Sequence, residues 1–258
     1  MAYRITKFDS TTLTPVQMDV GRGMARTGHI ATVGGMADGL GTDPARLDVP
    51  ALLPVTAQVE GADAAALKSA WDSVLALHGV RGTLYRTSDG GTEHTIAARC
   101  ARILAKRTPH DRYMLRYDID FELLANVWDG ADGTVSGILD DVPESIVCAN
   151  DGNARVDDAI ITITAKTSAI TALTVTISGI SSFTWTGTLA ADKALVIDCG
   201  ARTVRNDGAD AYSGFTYEAA HVVPEWLRLQ PGNNTVVVTR TGGGATSTYS
   251  IAYTDGWA

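Results

Sequence analysis

The fold of this chain is decided by two stretches, AADKALVIDCGARTVRNDGADAY at residues 190–212 and HVVPEWLRLQPGNNTVVV at residues 221–238. Leu195 and Ile197 alternate with more polar neighbours, as a strand with one buried face requires. The run 206–208, Asn-Asp-Gly, tolerates positive φ and predicts a tight hairpin turn. The run 231–234, Pro-Gly-Asn-Asn, predicts a second turn that leads into a β-branched strand at 235–239. The stretch therefore predicts short strands joined by turns.

The same pattern extends through residues 144–258. Apolar side chains alternate with threonine or other polar residues in several short runs: Ile161 and Ile163; Leu173, Val175 and Ile177; Phe183 and Trp185; Tyr249, Ile251 and Tyr253. About nine such runs at this spacing are typical of a β-sandwich. We expect Trp185 to lie in its core.

One helix is predicted, over residues 62–78 in the N-terminal half. Asp63 can cap it, and Gly79 follows it where a C-terminal glycine is expected. Leu67, Ala70, Trp71, Val74 and Leu77 fall on one helical face. Strands are predicted at 51–59, 80–86 and 114–121. Residues 92–107 have apolar spacing that also fits a helix, but their place between two strands favours a strand.

Two glycine-rich segments interrupt this pattern. Residues 21–48 have few large apolar side chains, and we expect an arm that becomes ordered against a neighbouring subunit. Residues 129–143, DGADGTVSGILDDVP, predict a domain boundary, with a linker at 131–143. The expected domains are residues 1–130 and 144–258. The fold class is thus mostly β with one helix in the N-terminal half.

Composition narrows the function classes. The 258-residue chain has a formal net charge of −8, which argues against a nucleic-acid-binding surface. It fits ordinary solubility, or a passage along which DNA slides without binding. The three cysteines show no Cys-x-x-Cys spacing and are expected as buried thiols in a reducing cytoplasm. The N-terminus predicts no signal peptide, and no run approaches the roughly 20 apolar residues of a membrane span.

The order of the C-terminal motifs resembles a known family. An aspartate-containing strand, an Asn-Asp-Gly turn and a Trp226…Gly232-Asn233-Asn234 segment before the valine strand are similar to the C-terminal domain of distal tail (Dit-like) proteins of long-tailed bacteriophages. The helix, the 82–86 segment GTLYR, Ala98-Arg99 and the strand ending at Phe121 resemble the N-terminal half of that family.

The resemblance implies a tail-tip structural protein rather than an enzyme. The N-terminal half would form a hexameric ring, and a galectin-like β-sandwich would follow it. The matched positions Trp226, Gly232 and Asn234 would be structural: the tryptophan packs into the sandwich, and the Asn233-Asn234 turn closes a hairpin. Implied partners are further copies of the chain and the tail tube, tail hub, tape measure and receptor-binding or fibre proteins. The implied location is the virion tail tip, after assembly in the host cytoplasm.

The sequence contains no clear motif for a metal site or a catalytic site. The five histidines share no metal-binding spacing, and acidic turns at 129–132 and 151–158 lack the pattern of a calcium loop. Glu218 and Glu225 could be imagined as a glycosidase pair, but the sequence does not place them together. We therefore assign no catalytic residue, cofactor or metal.

A carbohydrate-binding β-sandwich is the competing interpretation. Tyr212 and Trp257 fall outside strict alternation and are the candidates for exposed, sugar-contacting aromatics. A secreted hydrolase is disfavoured because no signal peptide or catalytic spacing is found.

Overall fold

The computed structural model describes residues 3–15, 51–88, 91–106, 113–125, 127–140, 142–217 and 226–258. The glycine-rich segment 21–48 and both glutamates of the imagined pair lie outside these ranges. The chain divides into two compact units, Met1–Trp128 and Asp129–Ala258. Within the described residues, no helix is long and apolar enough to cross a membrane.

The N-terminal unit is an antiparallel sheet with one helix. Its strands pair in the order β4-β7-β6-β5-β1-β2, and β3 pairs with the free side of β4. The elements are β1 (Tyr3–Phe8), β2 (Thr11–Thr12), β3 (Thr14–Pro15), β4 (Ala51–Glu60), α1 (Ala64–Leu75), β5 (Arg81–Ser88), β6 (Glu93–Lys106) and β7 (Met114–Leu123). The strand interpretation of the segment 92–107 is confirmed over Glu93–Lys106.

Helix α1 begins two residues after the predicted start at 62 and ends three residues before the predicted end at 78. The carboxylate of Asp63 accepts a hydrogen bond from the Ala66 amide at 2.8 Å, and Gly79 follows the helix with φ of +79°. The five residues predicted to share a face are those that are buried or half-buried, and the other helix residues are exposed. Trp71 packs against Tyr117 of β7 with ring centroids 5.6 Å apart. The helix therefore covers the sheet through one narrow stripe.

The C-terminal unit is a two-sheet sandwich. One sheet has the order β15-β14-β13-β10-β18-β8, and the other has β16-β12-β11-β17-β9. The strands are β8 (Trp128–Ile138), β9 (Glu144–Asn150), β10 (Ile160–Thr164), β11 (Ile170–Ile177), β12 (Ser181–Leu189), β13 (Ala194–Asp198), β14 (Thr203–Asn206), β15 (Ala209–Asp210), β16 (Phe215–Tyr217), β17 (Gly232–Gly242) and β18 (Thr248–Trp257). Side chains from both sheets form one buried cluster that includes Trp185 and Trp226.

Turn chemistry agrees with the sequence at one hairpin and differs at the other. Asp207 and Gly208 have φ of +50° and +83° between β14 and β15, as the Asn-Asp-Gly run predicts. By contrast, Asn233 and Asn234 do not form a turn. They lie in β17, opposite Ala149 and Cys148 of β9. The expectation of an asparagine turn is wrong because β17 already begins at Gly232, so both asparagines pair with β9.

The expected linker at 131–143 is also corrected. Residues up to Ile138 belong to β8, which lies beside β18. A Cβ placed on Gly133 would lie 2.7 Å from the ring of Tyr253, and one on Gly137 would lie 2.7 Å from the hydroxyl of Tyr249. These glycines leave room for aromatic rings of the neighbouring strand, so their function is packing rather than flexibility.

Candidate assembly surfaces

The N-terminal unit presents a charge-paired face on β6 and β7. Three cross-strand pairs cross it: Arg99 with Glu122 at 2.5 Å, Arg102 with Asp120 at 2.6 Å, and Lys106 with Asp118 at 2.6 Å. Since side chains alternate across a strand, these groups lie opposite the buried face of β7. Leu104, between two of the bases, is exposed.

One acid on this face, Asp118, has a lowered pKa. Desolvation raises the pKa of Asp118, but hydrogen bonds from Lys106 and from Thr56, the latter at 2.7 Å, outweigh it, so the pKa is lowered overall. The face therefore carries matched positive and negative groups rather than a field of one sign. Such a face can meet another protein surface without a large excess charge.

A buried arginine–histidine pair lies elsewhere in this unit. Arg86 and His94 are only 4% and 1% exposed, and the Arg86 Nε donates to His94 Nδ1 at 3.4 Å. The Arg86 guanidinium also lies 4.4 Å from the ring centroid of Trp128. Burial lowers the pKa of His94 below 6.5, and the positive charge of Arg86 lowers it further. No sequence pattern indicates this pair, because the two residues meet only through the pairing of β5 with β6.

In the C-terminal unit, the family-matched residues stabilise the approach to β17. The side chain of Asn234 is 4% exposed, and its amide donates to the carbonyls of Gln230 and Gly232 at 2.8 and 2.9 Å. Gly232 has φ of +89°, a conformation that L side chains rarely adopt. Trp226 is 6% exposed and stacks on Phe215 with ring centroids 4.6 Å apart. The surroundings of Trp226, Gly232 and Asn234 indicate that all three residues have structural roles.

The two candidate sugar-contacting aromatics lie in different places. Tyr212 is 44% exposed and stacks on Phe215, with centroids 5.9 Å apart. Its hydroxyl lies 3.2 Å from that of Tyr217, whose pKa is raised by burial and then by this bond. Trp257 is half-buried at the end of β18, against Gly130 of β8. The ring contacts of the described residues do not join Trp257 to the Tyr212 cluster.

Residues 129–132 lie in β8 rather than in a turn, and polar groups of both acidic segments form hydrogen bonds within the protein. Asn153 accepts from the Ala258 amide at 2.7 Å, Asp132 accepts from Thr254 at 2.9 Å, and Asp255 accepts from the Asp151 amide at 3.1 Å. Within the described part of the chain, no group of three or more His, Cys, Asp or Glu residues is placed to hold a metal ion.

The outer face of the five-stranded sheet has an unusual composition. Its members alternate with the buried residues of the same strands, and none of them is charged. They are Ser145, Val147, Ala149, Ala172, Thr174, Thr176, Ser182, Thr184, Thr186, Thr216, Asn233, Thr235, Val237, Thr239 and Thr241. We call this set the hydroxyl face.

Strand register aligns these side chains in rows. Thr216, Thr184 and Thr174 lie opposite one another on successive strands, and Thr239 of β17 completes the row. The hydroxyls of Thr174 and Thr184 are 2.9 Å apart. The sequence predicts the alternation within single strands but not the hydroxyl face. The members of this face come from five strands, and the order of these strands is set by long-range pairing.

Comparisons with known proteins agree with this architecture. Residues 151–257 match the family model described as the siphovirus-type tail component, C-terminal domain. No curated protein matches the sequence.

Solved structures give a second comparison. The crystal structure of SPP1 Dit, described as a paradigm of the hub adsorption apparatus in phages that infect Gram-positive bacteria, matches with a TM-score of 0.59 at 13% identity, over 81% of this chain and 79% of that one. Two structures of the phage p2 baseplate in its activated conformation, with Sr and with Ca, match at TM-scores of 0.35 and 0.34, each at 8% identity over 78% of both chains. Residues 151–257 are therefore similar to the C-terminal domain of siphovirus-type tail components, and the chain shares its fold with SPP1 Dit.

Proposed function

We propose that six copies of this chain form a ring between the phage tail tube and the tail tip, and that the C-terminal sandwiches anchor receptor-binding or fibre proteins. The match of residues 151–257 to the tail component family carries this proposal. The fold shared with SPP1 Dit supports it, since both chains are covered over most of their length. The role is structural, with no catalytic step.

The N-terminal unit is the proposed ring-forming part. Its charge-paired face presents balanced charges, and Leu104 is exposed between them. Helix α1, which packs on the other face of the sheet through Trp71 and Tyr117, leaves Leu75 exposed as well. Apolar side chains of this kind gain stability when a neighbouring subunit covers them. We expect the tube, hub and tape measure proteins to meet the ring, and DNA to pass through it without specific binding.

Light scattering of the purified full chain, at several concentrations, tests the ring. The expected species has about six times the 27.1 kDa mass of one chain. Leu104→Glu should weaken this species, because it adds a negative charge opposite Asp118 on a face whose charges are already balanced. Ile160→Glu is the matched control, since Ile160 is an exposed aliphatic residue on β10 of the other unit. A monomer in solution, together with absence of the chain from purified phage tails, would contradict the proposal.

Sugar binding by the sandwich, of the galectin-like kind, is a second candidate. The exposed ring of Tyr212, supported from behind by Phe215, favours it, because sugars stack on aromatic faces of this kind. Saturable binding of a host cell-wall glycan that is lost in Tyr212→Ala would support it. Trp257→Ala tests the other candidate position independently, and unchanged binding in both variants would reject these two residues.

A further inference from the structure

Strand β9 is a long edge of the sandwich, on which the carbonyl of Ala149 accepts a hydrogen bond from the Tyr253 hydroxyl at 2.8 Å. It ends the five-stranded sheet and pairs only with β17 among the described strands. The opposite edge of the same sheet, β16, has three residues, and β15 at the edge of the other sheet has two. Short edges limit pairing with other chains, whereas β9 has seven residues.

The strand lacks the usual devices that prevent strand addition. Its sequence, ESIVCAN, contains no lysine, arginine or proline, and its register against β17 is continuous from Glu144 to Asn150 without a bulge. Val147, at its centre, is 54% exposed. A straight edge that carries a single charged side chain, Glu144 at its first position, and an exposed apolar residue at its centre is a template for another strand.

The chemistry of the surrounding surface defines the incoming segment. The outward side chains of β9 are Ser145, Val147 and Ala149, and they continue the hydroxyl face formed with Thr235 and Val237. A charged side chain placed beside them would lie against a surface that offers no opposite charge. An uncharged, extended segment with small or β-branched residues would extend the rows of the face.

We propose that β9 receives an extended, uncharged segment of another tail-tip protein as an additional strand of the sandwich. Backbone hydrogen bonds along the edge provide the affinity, and the hydroxyl face selects the side chains. The inference rests on the proposed function, because it specifies how the sandwich would anchor a partner.

Phage particles assembled with variant chains test the proposal. Val147→Lys places a charge on the edge strand, and Val147→Pro removes the residue's backbone donor. Thr239→Lys is the matched control: it puts the same charge on the same face, beyond the end of the β9–β17 register. The amount of every tail protein in purified particles is measured by quantitative mass spectrometry. Thermal unfolding and light scattering of the isolated variants check folding and mass.

We expect Val147→Lys and Val147→Pro particles to retain this chain but to lose at least one tail-tip protein by 10-fold or more. Thr239→Lys particles should keep all of them. A full complement of proteins in both Val147 variants would overturn the inference and leave the ring untouched. Equal loss in Thr239→Lys would also overturn it, because contact would then involve the whole face.

A mass change of the isolated Val147→Lys chain would identify a second copy as the occupant instead. Absence of the wild-type chain from particles would refute the proposed function itself.

Discussion

The side chain of Asn234 forms two hydrogen bonds with the backbone of Gln230. Its side-chain oxygen accepts the Gln230 N–H and its side-chain nitrogen donates to the Gln230 carbonyl, both at 2.8 Å. The same nitrogen lies 3.4 Å from the carbonyl of Cys148 on β9. One amide therefore closes the entry to β17 and connects it to the neighbouring strand.

Asn234→Ala should lower the free energy of unfolding by about 2 kcal/mol, because buried backbone groups lose their partners. Urea unfolding followed by tryptophan fluorescence measures the change. Asn233→Ala is the control, since Asn233 is exposed and next in sequence, and it should cost less than about 0.5 kcal/mol. Equal effects of the two substitutions would show that the side-chain bonds of Asn234 contribute little.

Gly133→Val should destabilise the sandwich by roughly 1–3 kcal/mol through overpacking. The new side chain would meet the ring of Tyr253, which cannot move freely because its hydroxyl donates to the Ala149 carbonyl at 2.8 Å. Ser136→Val adds the same side chain at an exposed position of β8 and should be nearly neutral. Calorimetric unfolding temperatures of the two variants compare them directly. If both unfold at the wild-type temperature, β8 is not packed as described.

Stability should fall as the pH is lowered through about 6.5, in part because of His94. Burial and Arg86 depress the folded-state pKa of this histidine, so the unfolded chain binds its proton more readily. The stability it contributes is therefore present above pH 6.5 and is lost as the pH falls toward the folded-state pKa. His94→Gln should flatten the dependence of the unfolding midpoint on pH between 7 and 5, and His78→Gln, at an exposed position, should leave it unchanged. An identical pH profile in His94→Gln would contradict this assignment.

The three thiols should resist modification in the native chain. All are free and buried, and burial raises the pKa of Cys100 and Cys148 to about 11 and that of Cys199 to about 12. Since the thiolate is the reactive form, we expect labelling by an aromatic disulfide reagent at pH 8 to be at least about 10-fold slower than in denaturant. A single thiol that reacts in the folded chain as fast as in the unfolded one would show that its strand opens locally.

Local chemistry predicted much of this structure. Helix α1, the Asn-Asp-Gly hairpin and the alternating strands depend on neighbours in sequence, and these features agree with the fold. The linker at 131–143 was wrong because the glycines of β8 make room for rings more than 100 residues away, and their sequence resembles that of a loop. The Arg86–His94 pair, the exposed edge of β9 and the hydroxyl face all depend on strand order, which periodicity does not report.

The hydroxyl face also bears on how the sheet finds its register during folding. Its threonines repeat every second residue on β11 and β12, so pairing these strands two residues out of step would produce nearly the same outer surface. The inner surface does not permit this error. Leu173 lies opposite Trp185 and Val175 opposite Phe183, and a shift of two residues would place Leu173 beside Phe183 or beside Gly187. The correct alignment therefore depends on side chains of unequal size inside the sandwich, because the outer surface is nearly the same in both registers. Mutations that make the inner residues alike should slow folding more than they destabilise the native state.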